Sequence, residues 1–100
     1  MERRLLEKYR NLFVLWGIQP RMAIADSFLP VNKSVVLAHA AWMVEEMIGH
    51  IEESKAQAGQ PDRLKASRWI GFIQGVLWAN GFCKIDELRQ HVSDAKKASE

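Results

Sequence analysis

The stretch from Arg68 to Ala79, RWIGFIQGVLWA, constrains this chain more than any other, because it joins an almost unbroken apolar run to small residues at strict four-residue spacing. On a helix, Ser67, Gly71, Gly75 and Ala79 fall along one face. A glycine inside a helix costs about 1 kcal/mol relative to alanine, so two of them on one face imply the close approach of another backbone. The run from Trp69 to Cys83, interrupted by Gln74 and Asn80, is shorter than the roughly 20 residues a membrane span needs. It reads as a buried helix. Trp69, Ile70, Phe72, Ile73, Val76, Leu77 and Trp78 cover nearly its whole circumference, and a helix apolar all round must be surrounded. The small-residue stripe therefore either admits Ala38, Ala41 or a bulky side chain of the preceding helix, or forms a symmetric seam between two copies. Three other short helices offer little cover for so much apolar surface, which favours a homo-oligomer.

Periodicity elsewhere predicts an all-α fold, four helices around a long antiparallel helical hairpin, in a single domain over residues 1–100. Leu5, Leu6, Tyr9, Leu12, Phe13 and Trp16 recur at three- and four-residue steps, so a first helix spans Glu2 to Trp16 and stops at Gly17. Pro20 and Pro30 bound MAIADSFL, a loop with room for one helical turn. Asn32 or Ser34 caps a second helix that runs to about Ala58 and repeats Leu37, Ala41, Val44, Ile48 and Ile51 on one face. The turn from Gln57 to Asp62 ends that helix at Gly59 and starts the next at Pro61. So short a connection makes the second and third helices antiparallel, the third ending near Asn80 with Gly81 as its stop. Asp86 and Glu87 occupy the first turn of a last helix, where negative charge complements the macrodipole, and Leu88 and Val92 give it a narrow apolar stripe. The tail from about residue 94 to 100 is expected to fray.

Fourteen basic against twelve acidic residues give a formal charge of +2, too small and too evenly spread for a duplex nucleic-acid footprint. Cys83 is the only cysteine, so no internal disulfide forms and a reduced cytoplasm is the expected compartment. The opening MERRLLEKYR lacks the apolar core of a signal peptide. Catalytic chemistry finds no support. His39, Glu46 and His50 have helical spacing suited to a metal, but no HExxH arrangement exists, and Trp42 and Met43 occupy the intervening surface. Glu45 and Glu46 point about 100° apart on a helix. Cys83, beside Lys84 and near His91, reads as a small apolar thiol at a helix junction. No catalytic residue, metal or cofactor is expected.

Binding chemistry is better represented. Gln74 is the only polar side chain between Arg68 and Asn80, so in low dielectric it must find a partner or cost roughly 1–3 kcal/mol. It is either a ligand-reading amide, a structural bond across helices or a device fixing oligomer register. Arg68 beside Trp69 suits either a phosphate or an ordinary surface salt bridge. Trp16, Trp42, Trp69 and Trp78 are many for this length and serve either as core or as a stacking pocket. Tyr9 with Lys8 and Arg4 would give such a pocket an aromatic platform with cations.

The run RWIGFIQGVLWANG followed by KIDELRQH, with AHAAWMVEEM before it, resembles a signature of small phage-encoded proteins. In these an Arg-Trp-aliphatic-Gly-Phe-aliphatic-Gln-Gly helix precedes a short Ile-Asp-Glu helix. The likeness covers His39 to about His91. In architecture the chain is similar to the helical-hairpin sponge proteins with which phages bind the nucleotide messengers of CBASS and Thoeris immunity. Arg68-Trp69 matches the start of their second helix, whereas the step from Trp69 to Gln74-Gly75 is shorter than in that pattern. The resemblance implies a non-catalytic counter-defence protein in the cytoplasm of an infected host, a homo-oligomer that sequesters a nucleotide-derived signal. Tyr9, Lys8 and Arg68 would supply ring stacking and phosphate contact, with Trp69 and Gln74 beside them. Ser67, Gly71, Gly75, Ala79 and Trp78 would serve helix packing or oligomer contact. The alternative is an anti-CRISPR-like inhibitor or adaptor that covers a host defence protein with Glu45, Glu46, Glu52 and Glu53 as an acidic stripe. Neither reading invokes a membrane or duplex nucleic acid as partner.

Overall fold

The helical periods of the sequence are realised in the computed structural model, which describes residues 1–23, 33–56 and 62–99. They form α1 (Glu2–Leu15), α2 (Lys33–Ala56), α3 (Arg63–Ala79) and α4 (Ile85–Ser99), with no strand among the described residues. The fold is all-α. None of these helices is long and apolar enough to cross a membrane. The expected MAIADSFL loop, the Asn32 cap and the turn carrying Gly59 and Pro61 lie outside the described residues, apart from Met22 and Ala23. Asp62 caps α3, its carboxylate accepting from the Lys65 N–H at 2.9 Å.

Two helices end by the same device. At α1, Gly17 adopts φ 72°, its N–H donating to the Val14 carbonyl while the Ile18 N–H reaches back to Phe13. At α3, Gly81 adopts φ 77°, its N–H donating to Trp78 while Phe82 reaches Leu77. This paired pattern satisfies carbonyls that a helix end leaves open, and its left-handed residue is one that glycine alone adopts without strain. The two ends meet, with the Trp16 and Phe82 rings 4.7 Å apart and Lys33 over Phe82 at 5.2 Å.

The core gathers Leu5, Leu6, Tyr9 and Phe13 of α1, Leu37, Ala41, Val44, Met47, Ile48 and Ile51 of α2, and Ala66, Ile70, Ile73, Val76 and Leu77 of α3. Each fully buried large aliphatic contributes roughly 1.5–3 kcal/mol by leaving water. Outside that core, Arg3 pairs with Glu52 and Arg10 with Glu45, so α1 and α2 run in opposite directions.

Within one copy, as the scant cover of three short helices implied, α3 buries one side only, and Leu64, Phe72 and Trp78 stand exposed on the other. Its neighbours α1 and α2 both pack against the Ile70–Ile73–Leu77 side, and no described element reaches the opposite face. Nor does the tail fray: α4 stays helical to Ser99 because Ala95 is buried, and Lys96 and Lys97 in its last turn complement the macrodipole. Replacing Ala95 by Lys should force a charge into a buried position that shares its groove with the like-charged Arg4 and Lys8, detach the end of α4 and cost about 2 kcal/mol or more in denaturant unfolding, with helical circular dichroism falling. A tail that frays would leave both readings unchanged.

Candidate functional site

Among the described residues, Tyr9 is the one hydroxyl carried into the core, and its neighbours follow from the helix faces. On α1 it lies between Leu5, Leu6 and Phe13, and it is 0% exposed. Gln74, the lone polar residue in the apolar run of α3, donates its amide N–H to the Tyr9 hydroxyl at 2.8 Å. His91 of α4 brings Nδ1 to 3.2 Å of the same oxygen, its ring edge-on to Tyr9 at 5.6 Å.

The donor order follows from valence. With the Gln74 amide donating, the buried hydroxyl still has its own proton to place, and the arrangement that pairs it sends that proton to His91 Nδ1. A neutral imidazole with Nδ1 accepting carries its proton on Nε2. Burial foremost, and then the Lys8 ammonium, hold His91 below its ordinary pKa against the opposing pull of Glu87 and Asp94. Burial likewise pushes the Tyr9 hydroxyl up to about 12. The relay is thus neutral, directional and complete.

His91 also lines a groove of about 540 Å³ between α1 and α4, walled by Arg4, Lys8 and Asn11 and floored by Leu5, Leu12 and Ala95. Two acids border it, and both have partners: Glu7 accepts from Arg3 at 2.9 Å and Asp94 from Gln90 at 2.7 Å. Arg4 and Lys8 have no ion pair among the described residues. Gln90 is neutral and leaves the Asp94 charge in place, so the groove sets two cations without an ion pair against one such acid, a net positive balance. A cavity of this size, apolar below and carrying a few polar groups at its rim, has the proportions of a small-molecule site.

The structure divides the residues that the sequence singled out for ligand contact. Of these residues only Lys8 lines the α1/α4 groove, Gln74 lining a separate one with Ile85, Leu88, Arg89 and Val92, and Tyr9 is no stacking platform. Its ring is wholly covered, and it works as a hydrogen-bond bridge beneath the groove. Gln74 makes the structural bond across helices. Arg68 is elsewhere, exposed on the outer face of α3. Trp69 lines a second groove of about 640 Å³ between α2 and α3, with Glu46, His50, Glu53 and Lys65. There the Lys65 ammonium sits over the Trp69 ring at 5.2 Å, and Trp69 continues into Trp42 and then His39, which stacks on Trp42 at 5.3 Å.

The stripe of Ser67, Gly71, Gly75 and Ala79 is exposed, so the packing of α2 side chains into it does not occur. His39 Nδ1 accepts from the Ala23 N–H, and no group of three metal-ligating side chains exists among the described residues. Cys83 is buried, and burial raises its thiol pKa, the reverse of an activated nucleophile. The residue that sequence reading missed is His91. It shares a helical stripe with Leu88 and Ala95, and a polar residue on an apolar stripe is the same signal that marks Gln74.

Tyr9 is the only tyrosine, so absorbance titration reads it alone. Its ionisation should occur about two pH units higher in the folded protein, at about 12, than in denaturant, near the ordinary 10. Because the folded value is the higher one, this group's stabilisation is intact below pH 10 and is lost as pH rises towards 12. His91 works at the other end of the scale. With its folded pKa depressed, its contribution is intact above the ordinary 6.5 and is lost as pH falls below that value. The thermal midpoint of the parent protein should therefore drop more steeply from pH 7 to pH 5 than that of His91→Gln. Comparison of the chain with family models, with curated proteins and with solved structures finds no match.

Proposed function

We propose that this chain is a non-catalytic binding protein that sequesters an anionic, nucleotide-derived signalling molecule in the α1/α4 groove, a role suited to phage counter-defence. The observation that carries the reading is the pairing pattern at the groove. Arg4 and Lys8 have no ion pair among the described residues, Glu7 is held by Arg3, Asp94 alone sets an unpaired negative charge against them, and His91 stands in the wall beside them. An N–H donor flanked by an ammonium and a guanidinium suits phosphate oxygens, and the leucine floor suits the face of a base. Sequestration needs affinity and no turnover, so an immobile, fully bonded relay beneath the site serves it better than a titrating one.

The acidic-stripe alternative is left with less. Glu45 is held by Arg10 through two bonds of 2.7 and 3.0 Å, and Glu52 by Arg3, which leaves Glu46 and Glu53 as the exposed acids without an ion pair among the described residues. A phosphate-mimicking row needs its carboxylates free.

Isothermal titration with a panel of cyclic dinucleotides, cyclic trinucleotides and adenosine diphosphate ribose derivatives tests the proposal. At least one should bind, and Lys8→Ala and His91→Gln should each weaken it by about tenfold or more, the scale of a hydrogen bond to a charged group. Absence of binding across the panel would overturn the reading, as would binding that both variants leave intact. Capture of a host protein that Glu46→Gln with Glu53→Gln releases would establish the alternative.

A further inference from the structure

The outer face of α3 joins three large apolar side chains to two bare glycines. Leu64 is 75% exposed, Phe72 52% and Trp78 56%. At Gly71 and Gly75 nothing lies within 4 Å of where a Cβ would stand. Single exposed apolar residues are ordinary, whereas three along one face of one helix, with bare glycines between them, mark a surface that something covers. The two glycines have no use inside the chain. Neither adopts a positive φ and neither relieves a clash, so the helical penalty each carries is offset only where a backbone from outside comes close.

Charge selects the occupant and its direction. The helix carries Arg63, Lys65 and Arg68 near its start and no acid anywhere. Arg63 pairs with Glu2 and Lys65 lies over Trp69, so Arg68 is the cation of α3 left without a partner among the described residues. We infer that a second copy of this chain covers the face, the two α3 helices crossing antiparallel about a two-fold axis midway between Gly71 and Gly75.

A parallel pair would bring each Arg68 against its own mate. The antiparallel pair instead lays the cationic half of one helix over the aromatic half of the other. Arg68 lies five residues before the centre and Trp78 five after it, so the two-fold brings each Arg68 level with the partner's Trp78, within reach of the indole face. Gly71 then crosses the partner's Gly75, which lets the backbones approach.

Leu64, Phe72 and Trp78 offer on the order of 400 Å² of apolar surface per copy, given about 150–250 Å² for a whole aromatic side chain. Over both copies that is on the order of 800 Å², to which the glycine backbones and the stem of Arg68 add, the scale of a weak, transient interface and not of an obligate one. The dimer is therefore reversible. Its seam lies away from the α1/α4 groove, so it stands or falls independently of the ligand proposed there.

Sedimentation velocity over a concentration series of the full chain tests the seam. The parent protein should pass from monomer to dimer as concentration rises, and Gly75→Leu should weaken the dimer at least tenfold with an unchanged circular dichroism spectrum. Gly75→Ala should act in two opposite senses, raising the thermal midpoint in dilute solution, where open space and helix propensity favour alanine, while weakening the dimer. Direction is read by oxidising a mixture of Gly71→Cys and Gly75→Cys proteins, in which the unlike pair should crosslink in preference to either like pair. Cys83 is buried and stays out of that reaction. A monomer at every concentration, or a dimer that Gly75→Leu leaves intact, overturns the seam. Preferential crosslinking of like pairs overturns its antiparallel direction.

Discussion

A tyrosine hydroxyl with no access to water must be bonded by protein groups or cost roughly 1–3 kcal/mol, and the arrangement of three helices around Tyr9 answers that demand. Apolar packing is tolerant of small slides and rotations, whereas hydrogen bonds at 2.8 and 3.2 Å are not. Gln74 therefore sets the level of α3 against α1, and His91 sets the level of α4. The aliphatic residues around them supply most of the stability, and this one oxygen supplies register. The same bonds hold His91 at the wall of the α1/α4 groove, so polar contacts of the core also fix what the surface presents.

Local features of the chain were legible in advance. Apolar residues at three- and four-residue steps placed all four helices to within a few residues, Gly17 and Gly81 marked two ends, and every residue assigned to the inner face of α2 is buried. What the chain hid was convergence. Tyr9 and Gln74 stand 65 positions apart, and Tyr9 and His91 stand 82 apart. Each was visible as a polar group among apolar ones, but nothing local says that three such groups share one oxygen. Arg68 and Trp69, adjacent in sequence, part company for the opposite reason: successive helix positions face about 100° apart, so one reaches the outer face of α3 and the other the α2 groove.

Hydrophobicity alone does not say which neighbours exist. The apolar circumference of α3 implied a helix that needs cover, and within one copy only its inner side finds it, leaving Phe72 and Trp78 exposed. The tail was expected to fray, yet α4 is helical to Ser99 with Ala95 buried near its end. Composition reports what a segment could bury, and topology decides what it does bury.

The four indoles all lie at the margins of the fold. Trp16, Trp42 and Trp69 are partly covered and Trp78 is open, while the described interior is filled mainly by aliphatic side chains with Phe13 and the Tyr9 phenol among them. Tryptophan emission from this protein consequently reports on rim events: contact at the end of α1, occupancy beside α2, cover over α3. No indole lines the space between α1 and α4. A molecule entering that space would leave the emission of the protein nearly unaltered, and its optical trace would fall to the lone phenol beneath.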